Sequence, residues 1–200
     1  MRVGLALASS AGVLLAGCGT HPSQTIDRPV KDLVLTVGQI PYPGFQVETG
    51  SPSSGTYSNQ RAAAGSKVVE RELARAGRIT GYESDFERAA SPQEAIGPVV
   101  IESSAASYRT DSGAAQGLRI VAEQARTAGG TQISTGSLGD GAVGFVLQKQ
   151  FNGTSYEAFV VAWRQANVVA GIQIEGNAAT LDVGYAITLA ERQQHTIEAS

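Results

Sequence analysis

Apolar and polar residues alternate most regularly in the last third of the chain, and this alternation predicts an antiparallel β-meander. Apolar side chains recur at every second position in three segments, residues 143–151, 159–163 and 168–174. Asn152-Gly153 separates the first two segments and is typical of a two-residue hairpin turn, because both residues accept a positive φ. A period of two places alternate side chains on opposite faces of a strand, so each strand is expected to pack its apolar face against helices.

Helical spacing of apolar residues marks the predicted helices. It is clearest over residues 112–128, where the apolar residues form a single stripe that ends at Gly129-Gly130. Shorter stripes predict a helix over residues 66–76 and a closing helix over residues 177–194. Ser91-Pro92-Gln93-Glu94 combines an N-cap Ser, a Pro at the first helical position and a Glu at the third, which predicts the start of a brief helix.

The remaining apolar runs predict further strands, at residues 33–37, 45–47, 78–88, 99–109 and 131–135. Strands that follow one another as hairpins, with helices inserted singly, are typical of an α+β domain with an antiparallel sheet. We therefore expect an antiparallel β-sheet packed by helices, with one of its faces covered by the two long helices near residues 113–128 and 178–194.

Composition excludes several classes of protein. A chain of 200 residues with 42% hydrophobic and 16% charged residues is expected to fold as a single domain rather than to remain disordered. A net charge of −3 gives no electrostatic reason to expect nucleic acid as a partner. One Cys and two His exclude a disulfide framework, a Cys-clustered metal site and most zinc sites, so we expect no metal and no cofactor.

The N-terminus has the pattern of an export signal. Arg2 precedes an uncharged apolar stretch over residues 3–16, which is shorter than the ~20 residues that span a bilayer. The stretch ends in Leu15-Ala16-Gly17-Cys18, which resembles the lipobox of bacterial lipoprotein precursors at all four positions. The resemblance implies that the Cys18 thiol receives a diacylglycerol group and that a signal peptidase cleaves before it. An ordinary secretory peptide followed by a chance Cys, or a buried N-terminal helix, is the alternative.

The lipobox interpretation divides the chain into a signal peptide (1–17), a lipidated flexible tether (18–30) and a single α+β domain (31–200). Two or three acyl chains, palmitate among them, hold a protein on a membrane stably, whereas one chain is marginal. We therefore expect a lipid anchor at Cys18 on the extracytoplasmic face of the cell membrane, or at the outer membrane if the source is Gram-negative.

The order of the elements resembles a group of bacterial lipoproteins with a PsbP/Mog1-like fold. The likeness rests on an early strand that leads into Pro43-Gly44-Phe45, on the turn Leu138-Gly139-Asp140, and on the strand pair that begins Trp163-Arg164 and continues through Asn167-Val168-Val169. It implies an α/β/α sandwich over most of residues 31–198. Members of that group are mainly non-enzymatic accessory, binding or sensor-like domains, and none of these motifs is itself a site.

Few residues suggest chemistry. Glu83, Asp85 and Glu87 alternate along one predicted strand, where two carboxylates facing a cleft would serve a glycosidase or hold a cation. A solvated outer face of the sheet is the alternative interpretation. His195 is expected to be a cation at the end of the last helix, where it favours the helix dipole.

Other polar and aromatic groups have structural interpretations. The turn over residues 136–141 lacks both the helix start of an anion site and the acidic spacing of a calcium loop, so Asp140 is expected to bond its own backbone. Three arginines on the predicted helix over residues 66–76 and just after it are interpreted as a solvated face, and five aromatics as core or as the wall of a pocket. They are Arg71, Arg75 and Arg78, and Tyr82, Phe86, Phe145, Phe159 and Trp163.

These observations favour a membrane-anchored accessory domain that binds a small apolar ligand or an envelope protein and catalyses nothing. A structural or regulatory interaction module without a small ligand is the second hypothesis, and a core without a pocket above ~300 Å³ would favour it. A carboxylate-dependent hydrolase that uses Glu83 and Asp85 is the third.

Overall fold

A computed structural model describes residues 25–48, 54–89, 96–151 and 154–199 of the chain. The predicted signal peptide, Cys18, the predicted helix start at residues 91–94 and the predicted turn at Asn152-Gly153 lie outside these residues. Within the described ranges, eight strands form one antiparallel sheet in the order β1-β3-β4-β8-β7-β6-β5, and β2 pairs with β3 beside β1. The strands are β1 (Phe45–Val47), β2 (Gly55–Tyr57), β3 (Arg78–Arg88), β4 (Pro98–Tyr108), β5 (Thr131–Ile133), β6 (Gly141–Phe151), β7 (Thr154–Gln165) and β8 (Val168–Asn177).

The helices begin at polar N-caps, as the sequence pattern suggests. The side chains of Ser66, Thr110 and Asp182 each accept a hydrogen bond from a backbone N–H of the first turn that follows them. The predicted α+β fold with an antiparallel sheet packed by helices is therefore confirmed. Across the described residues, no helix is both long and apolar enough to cross a bilayer. The helices are α1 (Asn59–Ala62), α2 (Lys67–Arg75), α3 (Asp111–Thr127) and α4 (Val183–Glu198).

The two long helices lie on opposite faces of the sheet, so the expectation that both cover one face is wrong. Phe145 of β6 packs against α3, whereas Phe159 and Trp163 of β7 belong to the cluster that contains α4 residues such as Leu189. The register explains this, because Phe145 pairs with Val160 and thus shares a face with the even-numbered residues of β7. Strands in the middle of the sheet are covered on both sides, which alternation alone does not reveal.

Two predicted elements differ from the structure. Residues 33–37 form no strand; short 3₁₀ turns at Val30–Asp32 and Val37–Gln39 flank them instead. Leu33, Val34 and Leu35 are buried in the α4 layer, so their apolar character reflects packing rather than strand pairing. The last helix begins at Val183 and not near residue 177, because β8 continues to Asn177 and Asp182 provides the N-cap.

The end of the predicted tether lies against the domain. The backbone N–H of Ile26 donates to Asn167 Oδ1 at 2.8 Å, and Asn167 Nδ2 donates to the Ile26 carbonyl at 3.3 Å. Arg28 Nη1 donates to the Thr196 carbonyl at 3.0 Å. Contacts with the domain therefore start within the predicted tether 18–30, several residues before the expected domain boundary.

A buried amide ties three elements together beneath α4. Gln193 is 0% exposed, and its Nε2 donates to the carbonyls of Leu33 (3.0 Å) and Ser104 (2.8 Å). Its Oε1 accepts from the Ser103 hydroxyl at 2.9 Å, and that hydroxyl accepts from the Leu35 N–H at 2.9 Å. Buried polar groups lose little when each is bonded but much when one partner is removed. Gln193 thus connects α4, β4 and the N-terminal segment.

Replacing Gln193 with Met keeps a side chain of similar length but removes its three hydrogen bonds. We expect the free energy of unfolding to fall by about 3 kcal/mol, because the carbonyls of Leu33 and Ser104 lose a buried donor and the Ser103 hydroxyl loses its buried acceptor. Urea denaturation followed by circular dichroism measures the change. The exposed Gln148→Met variant is the control and should stay within about 0.5 kcal/mol of the wild type. An equal effect of both variants would contradict the proposed role of Gln193.

Candidate functional site

A cleft of about 400 Å³ lies between the sheet and the layer that contains α1, α2 and α3. We call it the α3-face cleft. Its floor consists of small residues on adjacent strands: Ser104 pairs with Gly171, which pairs with Ala162, and Ala106 lies beside them on β4. Small side chains leave space that bulkier residues would fill, and the volume is within the ~300–1,000 Å³ usual for ligand sites.

Two polar contacts fix the roof of the cleft. Gln124 Nε2 on α3 donates to the Ala62 carbonyl at the end of α1 at 3.0 Å. Arg61 Nη2 on α1 forms an ion pair with Glu83 Oε1 on β3 at 2.8 Å. The short helix α1 is therefore attached to a neighbouring helix on one side and to the sheet on the other. This attachment holds α1 at a defined height above the floor.

A β-bulge directs Arg78 into the cleft. The register between β3 and β4 shifts between Arg78 and Thr80, so Arg78 pairs with Tyr108 on the cleft face. Its guanidinium group lies 4.6 Å from the centroid of the Tyr57 ring, and Nη1 donates to Asn59 Oδ1 at 3.0 Å. A side chain on Gly81 would overlap both this guanidinium group and the Tyr57 ring, so only Gly fits there. The expectation that Arg78 belongs to a solvated face is wrong, since the residue is 7% exposed.

Arg78 retains unused hydrogen-bonding capacity. Its Nη2 is buried and forms no well-aligned hydrogen bond among the described residues, although the Arg78 side chain lies within hydrogen-bonding reach of the Tyr57 and Tyr108 hydroxyl groups. Burial raises the pKa of Tyr57, and it raises the pKa of Tyr108 to about 12, while the nearby Arg78 charge opposes both shifts. Both phenols therefore stay neutral at physiological pH. This end of the cleft carries the Arg78 charge beside two neutral phenols, and the Arg61 guanidinium group, which is paired with Glu83, lies 5.1 Å from the Tyr57 ring centroid.

The other end of the cleft is acidic and contains Glu102. Glu102 pairs with Asp85 on β3 and with Gln173 on β8, and Glu83 lies diagonally across from it on the same face. Among the described residues, no group donates a hydrogen bond to the Glu102 carboxyl. Its neighbours Glu83 and Glu175 have their own cations, because Arg61 pairs with Glu83, and Lys149 Nζ lies 2.6 Å from Glu175 Oε1.

Glu102 holds its proton unusually tightly. Burial raises its pKa to about 7, and the negative charges of Glu83, Asp85 and Glu175 add to this effect, while Lys149 opposes it. Burial, followed by the Asp85 charge, also raises the pKa of Glu83, although Arg61 counteracts the shift. The Glu102 carboxyl is thus close to half-ionised at neutral pH. It can donate a hydrogen bond when protonated and hold a cation when ionised.

Of the predicted acidic residues Glu83, Asp85 and Glu87, only Glu83 lines the cleft. Glu83 lines the cleft, whereas Asp85 is 1% exposed and Glu87 is half-buried. The solvated outer face proposed for these residues is therefore wrong for Glu83 and Asp85. No group of three or more His, Cys, Asp or Glu is arranged to hold a metal ion within the described part of the chain.

The remaining candidates lie away from the cleft. His195 is exposed at the end of α4, 3.7 Å from Glu198, as expected. Arg71 and Arg75 are exposed. Asp140 accepts from the Ala166 N–H at 2.7 Å, so it braces the β7–β8 turn rather than its own loop. The predicted core aromatics are buried, apart from Tyr82, which is half-buried.

Sequence reasoning did not identify the residues that define the two ends of the cleft. Glu102 is a single carboxylate within a strand of apolar and small residues, and this isolation is the one feature of the sequence that could have marked it as a candidate site residue. Tyr57, Arg61 and Tyr108 carry no such sign, because their place in the cleft depends on how α1 folds over β3 and β4. Their roles are visible only when the strands are paired.

Comparisons with known proteins concern the fold. No family model matches the chain, and no curated protein matches its sequence. Among solved structures, the extracellular domain of PknH from Mycobacterium tuberculosis is similar, with a TM-score of 0.58 and 10% sequence identity. The alignment covers 86% of this chain and 95% of that one. At this identity the likeness shows a shared fold, while the resemblance to the PsbP/Mog1 group stays a prediction.

The ionisation of Glu102 makes stability depend on pH in a specific direction. The folded state holds the proton more tightly than the unfolded chain, so the free energy of unfolding falls as pH rises from about 4.5 to about 7 and then levels off. Glu102→Gln removes this pH dependence, so its free energy of unfolding should rise by about 2 kcal/mol relative to that of the wild type between these two pH values. This is less than the pKa shift alone would give, because the carboxyl is partly exposed to solvent. Urea denaturation at several pH values measures it.

Glu123→Gln, on the exposed side of α3, is the matched control for this experiment. Its free energy of unfolding should run parallel to that of the wild type across the same pH range. If the Glu102→Gln curve is also parallel to the wild type, Glu102 does not have the raised pKa in the folded protein.

Proposed function

We propose that this chain is a lipid-anchored extracytoplasmic domain that binds a small ligand in the α3-face cleft and catalyses no reaction. The observation that carries the binding role is the cleft itself. It has a volume of about 400 Å³ and contains Glu102, which accepts no hydrogen bond from a described residue, and Arg78, whose buried Nη2 makes no well-aligned one. Polar groups removed from water normally have partners, so unused ones that line a cleft favour a ligand.

The extracytoplasmic location rests on two lines of support. Leu15-Ala16-Gly17-Cys18 matches the lipobox pattern and contains the only thiol of the chain. A domain of the same fold occurs in the extracellular part of PknH. A thiol-free domain after Cys18 also suits an oxidising exterior.

The cleft favours ligand binding over the two other hypotheses. An interaction module without a ligand would have a solid core, whereas this cavity exceeds the ~300 Å³ that separates the two. A hydrolase based on Glu83 and Asp85 needs both carboxyl groups in one cleft, but Asp85 does not line it. No His or Cys lines the cleft within the described residues, so a nucleophile with an imidazole base has no place there.

The anchor has a direct test in the mass of the native protein. We expect a mature chain that starts at Cys18, lacks residues 1–17 and carries the mass of two or three acyl chains. Cys18→Ala should leave the precursor unprocessed and free of acyl groups. Mass spectrometry of protein extracted from bacterial membranes by detergent measures both. An unmodified Cys18 in a chain that is cleaved elsewhere would contradict the lipid anchor.

Binding in the cleft can be tested with a fragment library, before any natural ligand is identified. Ser104→Leu places a larger side chain on the floor and should abolish the binding of small molecules found by a fragment screen with ligand-observed NMR. Ser155→Leu introduces the same change at an exposed strand position and should leave binding intact. Thermal unfolding confirms that both variants are folded. Fragments that bind both variants equally would place the binding site elsewhere.

A further inference from the structure

The two ends of the α3-face cleft differ in charge, and this difference narrows the chemistry of the ligand. One end contains Glu102, which has no hydrogen-bond donor among the described residues and has Glu83, Asp85 and Glu175 around it. The other end contains the Arg78 guanidinium group, whose buried Nη2 forms no well-aligned hydrogen bond with any described residue. An acidic end calls for a cation, and a guanidinium group calls for an oxygen acceptor.

From these observations we infer that the cleft binds an amphoteric organic molecule, with an ammonium group at Glu102 and a carboxylate or carbonyl oxygen at Arg78. This inference rests on the proposed ligand-binding function and names the class of ligand. An organic cation suits the acidic end better than a metal ion does, because the described carboxylates are not arranged for coordination. An ammonium group needs only hydrogen-bonding distance to carboxyl and amide oxygens, which Glu102 and Gln173 provide.

Strand geometry sets the length of the ligand. The Arg78 guanidinium group lies over Gly81, which pairs with Ala106, and Glu102 is on the same face of β4 as Ala106. The four-residue separation along β4 corresponds to ~13 Å at ~3.3 Å per residue. Between the two ends, the floor is made of the small residues Ser104, Ala106 and Gly171, and the Arg61–Glu83 ion pair lies beside Ser104. The molecule therefore has a slender middle that separates its two polar ends by about ten ångströms, because a hydrogen bond of ~2.9 Å takes up part of the ~13 Å.

Several charged groups bear on Glu102, and together they set the expected response to pH. Glu83 and Asp85 from β3 and Glu175 from β8 are negative, whereas Lys149 from β6 and Arg61 from α1 are positive and already paired with Glu175 and Glu83. Gln173 from β8 is neutral. The negative charges exceed the positive ones around Glu102. Its ionised form is therefore costly until a cation arrives, so ammonium binding should strengthen as pH rises through neutrality.

A matched series of eight-carbon probes tests the inference by isothermal titration calorimetry on the folded domain. ω-Aminooctanoate carries both end groups, octylammonium lacks the carboxylate, and octanoate lacks the amine. We expect ω-aminooctanoate to bind at least several-fold more tightly than either single-ended probe, and its affinity to rise roughly fivefold to tenfold between about pH 6 and pH 8. Glu102→Gln should weaken both amines roughly tenfold at pH 8 and leave octanoate unchanged.

The outcomes separate this inference from the function on which it rests. If octanoate binds as tightly as ω-aminooctanoate and Glu102→Gln has no effect, the cationic end is wrong while ligand binding in the cleft survives. If octylammonium binds as tightly as ω-aminooctanoate, the inferred hydrogen bond from Arg78 to an oxygen of the ligand is wrong. If no probe binds and Ser104→Leu does not abolish the binding of any fragment, the proposed ligand-binding function is wrong. Glu123→Gln should behave as the wild type throughout, which excludes a general effect of removing a negative charge from this side of the domain.

Discussion

The pairing of β4 with β8 is the interaction on which the rest of the structure depends. It joins two parts of the chain that are far apart in sequence, the N-terminal strands β1 to β4 and the C-terminal meander β6 to β8. Its register places Glu102 beside Gln173, Ser104 beside Gly171 and Ala106 beside Val169. A shift of one residue would turn these side chains to the opposite face. The cleft floor and the position of its acidic end therefore both follow from this one register.

The two faces of the sheet are covered in different ways. The α4 face is closed by large apolar side chains, and the buried amides of Gln193 and Gln194 on α4 are both hydrogen-bonded. The α3 face has small residues at its centre and charged residues at its ends, so the layer of α1, α2 and α3 covers it without filling it. The α4 face is therefore filled, whereas the α3 face keeps an open cleft in which burial raises the pKa of Glu102. Such a division is common where a rigid scaffold supports a binding site.

Much of the fold was predictable because local periodicity is strong. The strands at residues 78–88 and in the C-terminal meander, and the helix near residues 112–128, lie close to where the alternation and the apolar stripe predict them. Residues 33–37 show the limit of this approach, since a short apolar run is equally consistent with a strand and with a buried irregular segment. The site was less predictable. Glu83 was identified as a candidate, but Glu102 and Arg78 were not placed, because a bulge and a non-local pairing put them there.

By itself, the sequence determined the antiparallel α+β class and most of the regular elements and predicted a lipobox at Cys18, because each depends on residues that are close together in the chain. Tertiary structure alone decided that α3 and α4 lie on opposite faces, that Arg78 turns inward at a β-bulge, and that Glu102 lies beside Asp85 and Gln173 and accepts no hydrogen bond from a described residue. These features depend on which strands pair and in which register, and periodicity carries no information on either. The charge of the cleft, and with it the ligand it suits, is therefore a property of the assembled sheet.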